Sequence, residues 1–330
     1  MSWFFIVFFS LYAALHAYVF VKAWNAFHFR VVTGAIIALV FFFCFFAPMM
    51  VRTLEQGGQE SLARIIAYAG YIWMSAIFVF FVISLSIDIL RFFIIIISSI
   101  AKIHLPHIVH SSMILFLMSA IASAGITTYG YYEARSIRIE RIGIETSKLP
   151  TGIDRFTIVQ ISDVHLGLVN RDKRLLSFIT DIQKIDPDVV VSTGDLVDGQ
   201  LNSLNGLSAI LNTINPRYGK YAVMGNHEFY AGVGVSENFT RKSGFILLRQ
   251  KAVTVGNAIN LVGVDDEGHL APSVNQSSEK DLFRQVPSNL FTVFLKHRPV
   301  VDPSTLGLFD IQLSGHTHGG QIFPFRYITR

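Results

Sequence analysis

Val189-Val190-Val191-Ser192-Thr193-Gly194-Asp195-Leu196-Val197-Asp198 is the stretch from which the fold reads outward. Its β-branched run predicts a buried strand, and Gly194 permits a sharp turn at the strand's end. Asp195 then stands in the loop at the carboxyl end of that strand, where open α/β sheets take their ligands. The same construction recurs four times. Residues 156–161 lead into Asp163-Val164-His165, and residues 221–224 into Gly225-Asn226-His227-Glu228. Residues 291–295 lead into Lys296-His297-Arg298-Pro299, and residues 311–313 into Gly315-His316-Thr317-His318-Gly319-Gly320. Five strand ends that deliver Asp, Asn or His predict one metal site centred on Asp195.

Helices are predicted between these strands. Leu175, Ile179, Ile182 and Ile185 share one helical face that Pro187 closes, and Leu204, Leu207, Leu211 and Ile214 repeat the spacing before Pro216. The alternation predicts an α/β domain with a layered sheet. Beyond Glu237 the strands shorten; 259–264 is the clearest, and 279–285 reads as a helix. Past the last motif, either 321–327 forms the final strand or the domain continues beyond Arg330. Upstream, Ile137, Ile139, Ile142 and Ile144 alternate with charged residues as an edge strand, before a turn at Lys148-Leu149-Pro150-Thr151-Gly152.

The first 130 residues are of another kind. The chain has 330 residues, 52% of them apolar, with a net charge of +4. Its mean hydropathy of +0.48 comes from an excess concentrated in this part. The runs 2–21, 31–51, 65–87 and 108–129 contain no Asp, Glu, Lys or Arg, and each is about long enough to cross a bilayer core. The first lacks the early positive charge and cleavage site of a secretory signal. Residues 92–101 are too short to span and either extend the third helix or lie at the interface. Four spans return the chain to its starting side with Arg52, Arg64, Arg135, Arg138 and Arg141. Lys22, Arg30, Arg91 and Lys102 fall on the other side, so the balance places the C-terminal domain in the cytoplasm. His107 and His110 read as an interfacial pair. The basic residues form no run, so no nucleic-acid partner is predicted. Cys44 is the only cysteine, so any metal must be held by nitrogen and oxygen.

Two divalent metals activate water and neutralise charge in phosphoryl transfer, and such a pair needs a bridging carboxylate, here Asp195. Imidazole, carboxylate and amide donors suit manganese, iron or zinc. His227, beside Asn226, is placed to protonate a leaving oxygen. The set Asp163-Val164-His165, Gly194-Asp195-Leu196-Val197-Asp198, Gly225-Asn226-His227-Glu228, His297 and Gly315-His316-Thr317-His318 resembles, in order, the five blocks of the calcineurin-like metallophosphoesterases. The resemblance covers about residues 155–321. It implies a layered α-β-β-α sandwich, with Asp163, His165 and His318 on one metal, Asn226, His297 and His316 on a second, and Asp195 shared. It further implies that His227 stabilises the transition state or acts as the acid and that Asp198 orients it. The chain is similar in layout to the family's membrane-anchored bacterial branch, which includes lipid-precursor pyrophosphatases.

The expected division is a transmembrane helical region over 1–132, a linker and edge strand over 133–154, and a metallophosphoesterase domain over 155–330. The expected function is hydrolysis of a phosphodiester or pyrophosphate bond, of a lipid-linked substrate or of soluble nucleotides or phosphoproteins. The alternative is a non-catalytic membrane sensor or scaffold; its signature, loss of a metal ligand or of His227, is not seen in the sequence. A transporter would need charged or broken helices in the membrane half. Arg298 carries a fork suited to a phosphate. Glu228, Asp265, Asp266 and His269 read as solvated loop polarity.

Overall fold

The computed structural model describes residues 3–199, 204, 206–266 and 279–318. The chain divides into two compact units, Met1–Ser136 and Ile137–Arg330. Four helices of the first unit are long and apolar enough to cross a membrane: α1 (Trp3–Phe27), α2 (Val31–Gln56), α3 (Glu60–Ala101) and α5 (Ser112–Arg135). A single turn, α4 (His107–His110), precedes α5, whose Ser111 caps the helix by accepting from the Ile114 amide. Tyr12, Val19, Ile77 and Phe80 form the buried centre of this unit, while Phe42, Phe43, Ile65 and many others point outward. Apolar side chains both inside and outside are what an apolar solvent allows.

Residues 92–101 extend α3, which runs unbroken for 42 residues. At about 1.5 Å per residue it is about 63 Å long, twice the roughly 30 Å of a hydrocarbon core. It stops where Lys102 enters the left-handed region at φ 54°. Near the end of α1, the Lys22 ammonium meets Asp88 of α3 at 2.5 Å, and the Tyr18 hydroxyl donates to the same carboxylate at 2.9 Å.

The second unit follows the strand–helix alternation. In order come β1 (Ile158–Ile161), α6 (Asp172–Ile185), β2 (Val189–Ser192), α7 (Leu207–Asn212), β3 (Lys220–Ala222), α8 (Asn226–Ala231), α9 (Val233–Lys242) and β4 (Phe245–Leu247). Then follow β5 (Lys251–Val255), β6 (Ile259–Val264), α10 (Glu279–Phe283), β7 (Phe291–Lys296) and β8 (Ile311–Leu313). The first sheet has the order β1-β2-β3-β4, all parallel. The second has the order β5-β6-β7-β8, parallel except where β5 meets β6.

The two-residue period of a strand sorts the valines of β2 into separate layers. Val190 faces Leu175, Ile179 and Ile182 of α6 and Leu207 and Leu211 of α7, whereas Val189 and Val191 pack with Ile259, Leu261, Val293 and Leu295 of the second sheet. On that sheet's far side, Leu282 and Phe283 of α10 cover Val262, Val264 and Phe294. The layers are therefore helix, sheet, sheet, helix. Residues 137–144 form no strand: none of the described strands pairs with them, and their isoleucines are exposed. An alternating pattern predicts a face but supplies no partner edge. The alternative final strand at 321–327 lies outside the described residues.

Candidate metal centre

Loops after β1, β2, β3, β7 and β8 meet at the carboxyl ends of the two sheets, and backbone bonds zip them together. The amides of Asp163, His165 and Leu166 donate to the carbonyls of Gly194, Asp195 and Leu196 at 3.1, 3.0 and 3.0 Å. The His316 amide donates to the Asp163 carboxylate at 3.0 Å, and the Gly315 amide to the His297 carbonyl at 2.9 Å.

The turns are sharp. Asp163, His165, Asp195, His316 and His318 all have φ between 47° and 72°, a left-handed conformation that side chains with a Cβ adopt at a cost of about 1–2 kcal/mol each. Five of the ten such non-glycine residues among those described are thus predicted metal ligands, and strain of this kind gathers at functional sites. Glycine is needed where the loops touch. At Gly194, φ is 100° and a Cβ would lie 2.7 Å from the Gly225 nitrogen and 2.8 Å from His297 Nδ1. A Cβ on Gly225 would collide with the Asp195 carboxylate.

Three overlapping groups bring one ligand atom from each member within 4.8 Å of the others: Asp163, His165 and His318; His165, Asp195 and His227; and Asp195, His297 and His316. Asn226 joins the last, its Oδ1 lying 3.2 Å from His297 Nε2 and 3.1 Å from His316 Nδ1. The donor chemistry fits a cation. His297 Nδ1 lies 2.9 Å from the Thr193 carbonyl, which only accepts, so that nitrogen carries the proton. In the neutral ring Nε2 is then a lone pair, and it faces Asn226 Oδ1 and, at 3.2 Å each, Asp195 Oδ2 and His316 Nδ1. Lone pairs crowded together in this way need a positive charge between them.

These groups also shift one another's pKa values. Burial pushes the Asp195 pKa up, but His297 and His227 outweigh it, so the pKa is lowered. Burial alone would lower the pKa of His297; its bond to Asp195 raises it. His165 is lowered by burial and by His227, and His316 by burial, His297 and Arg298. His227 stands apart. Its Nδ1 lies 3.2 Å from Asp198 Oδ1, which raises its pKa, and its ring meets the His165 ring edge-on at 4.4 Å between centroids. All nine predicted site residues, Asp163, His165, Asp195, Asp198, Asn226, His227, His297, His316 and His318, therefore fall in one cluster.

Glu228, Asp265 and Asp266 are not solvated loop residues. All three are buried, because the loops fold over the sheet ends instead of into water. Glu228 Oε2 accepts from the amides of Asp195 and Gly225 at 2.9 and 2.8 Å, and Oε1 from Leu196 and Val197 at 2.7 and 3.2 Å. Burial and the nearby Asp195 raise its pKa to about 7. Asp265 and Asp266 each take one arginine, Arg249 and Arg298, at 2.7 Å. A lone acid in a loop gives no sign in sequence of how many amides will turn toward it. His269 lies outside the described residues.

A model of the calcineurin-like phosphoesterases matches residues 156–320, half of the chain. The chain belongs to this family. An uncharacterized metallophosphoesterase of Aquifex aeolicus is 39% identical over 200 residues, 60% of this chain and 76% of that protein. One of Campylobacter jejuni is 32% identical over 175 residues, 52% of this chain and 46% of its own length. A transmembrane protein with a metallophosphoesterase domain from Danio rerio is 29% identical over 222 residues, 63% of this chain and 51% of that protein. The match thus spans about half the length of the last two relatives. Residues 156–320 are thus a calcineurin-like phosphoesterase domain whose His and Asp groups are able to hold metal.

Proposed function

We propose that the protein is a membrane-anchored, dinuclear-metal phosphoesterase that hydrolyses a phosphodiester or pyrophosphate bond. The observation that carries this reading is the place of Asp195 Oδ2, 3.2 Å from His297 Nε2 of one ligand group and 3.8 Å from His165 Nε2 of the other, where a bridging carboxylate would sit. In this reading Asp163, His165 and His318 hold one ion, Asn226, His297 and His316 the other, and Asp195 both. Manganese, iron or zinc suits the nitrogen and oxygen donors. Bound there, the pair supplies Lewis acidity at the phosphoryl group.

The chain's own residues do the rest. Asp198 accepts from His227 Nδ1 and favours the imidazolium, leaving Nε2 to donate a proton to the leaving oxygen. His297, pinned by Thr193, cannot rotate away from Asp195. Residues 155–330 form the catalytic domain in this reading, 133–154 the connection, and 1–132 the anchor, with the active site on the cytoplasmic face. An anchor holds the enzyme at the bilayer surface, which supports a lipid-linked substrate.

The test is hydrolysis of bis-p-nitrophenyl phosphate by the full chain in detergent, stripped of metal and then given manganese, iron or zinc. Turnover should require metal and vanish in Asp195→Asn and His227→Ala. Failure of the wild-type protein to take up any metal would end the reading. Preference for a micellar lipid diphosphate over its water-soluble analogue tests the lipid-linked part, and the opposite preference removes it.

A further inference from the structure

Arg298 follows His297 directly and is held from behind. Its Nε donates to Asp266 Oδ2 at 2.7 Å, and that carboxylate is fully buried. Asp266 is fixed in turn, because its amide donates to the Met224 carbonyl at 3.0 Å, two residues before Asn226. Among the described residues no acceptor other than Asp266 meets the guanidinium, and the side chain is 40% exposed. The Nη edge of the fork is thus available at the rim of the ligand cluster. Tyr230 marks the same rim, its ring 5.5 Å from that of His227.

A buried carboxylate that occupies only one nitrogen of an exposed arginine leaves the rest of the fork oriented and without an acceptor. That geometry matches two oxygens of one tetrahedral anion, which a guanidinium binds bidentately. We propose that Arg298 is a phosphate-binding residue of this site, holding two non-bridging oxygens of the substrate's phosphate while Asp266 positions it. This rests on the phosphoesterase reading above and adds a contact outside the predicted metal ligands and their partner Asp198. Arginine in place of lysine matters here, since only a fork can bond Asp266 and the phosphate together.

The experiment is calorimetric titration of inorganic phosphate into the manganese-loaded full chain in detergent, with metal content and circular dichroism measured on each sample. Arg298→Met should keep both metals and weaken phosphate binding about tenfold to a hundredfold, the range for a lost charge-assisted pair. Arg298→Lys should recover only part of the loss. Asp266→Asn should weaken binding by a smaller factor, because it frees the fork without removing it. In kinetics the arginine variants should raise KM for bis-p-nitrophenyl phosphate and the inhibition constant of phosphate together. Arg298→Met binding phosphate within threefold of wild type, with normal metal content, overturns the proposal. Equal recovery by Arg298→Lys overturns the bidentate role. If the wild-type protein takes up no metal, the catalytic reading fails separately. The same titration of metal-free wild type against Arg298→Met then decides for or against the arginine.

Discussion

Glu228 offers the sharpest test of how the metal loops are held, because one side chain binds both. Glu228→Gln is nearly isosteric, but its amide nitrogen must face two of the four amides that now donate to the carboxylate. With the remaining oxygen kept on Leu196 and Val197, the amides left without an acceptor are those of Asp195 and Gly225. Two buried donors without partners cost about 2–6 kcal/mol together. Against this, a carboxyl moved by burial and by Asp195 from 4.5 to about 7 is destabilised in its charged form by about 3 kcal/mol, and glutamine removes that term. At pH 8, where wild-type Glu228 is ionised, the two effects partly cancel, so the thermal midpoint should fall by only a few degrees. The loops should suffer more than the fold. They position Asp195 and, at the start of α8, Asn226 and His227, and loss of an outer support of this kind typically costs 10–100-fold in metal affinity. Titrating manganese into metal-free wild type and Glu228→Gln, with melting followed by circular dichroism, separates the two effects. A variant that binds manganese as tightly as wild type would refute the claim that Glu228 sets the loop geometry.

Two further outcomes follow from charged groups elsewhere, one buried and one half-buried. Lys220 donates to the carbonyls of Leu211 and Ser243 at 2.9 and 2.8 Å, and burial lowers its pKa from 10.5 to about 8. Between those values the unfolded chain binds the extra proton, so stability should rise with pH; Lys220→Met should abolish that slope in melts at pH 7.5 and 9.5. In the first unit, Asp88→Leu leaves Lys22 without its partner and should lower the melting temperature more than Lys22→Met/Asp88→Leu does; equal losses would mean that the 2.5 Å pair does not couple α1 to α3.

Local sequence signals are enough to say which residues bear chemistry and roughly where each strand begins. A β-branched run followed by Gly-Asp is local information, as is an uncharged run of twenty apolar residues, so β2, β6 and the four long helices were readable in order. The nine site residues were readable for the same reason: each sits one to six residues past a strand end. The remaining features depend on partners far along the chain. Whether 137–144 pairs depends on an edge that no periodicity within it can specify. Residues 92–101 read as an extension of α3 or as an interfacial segment, because apolar composition fixes neither where a helix ends nor where the bilayer lies. Glu228, Asp265 and Asp266 read as loop polarity until the fold buried them, giving Glu228 four amides from two loops and each aspartate its own arginine. A sequence carries the acid, but only the packed loops supply the donors that give the acid its role.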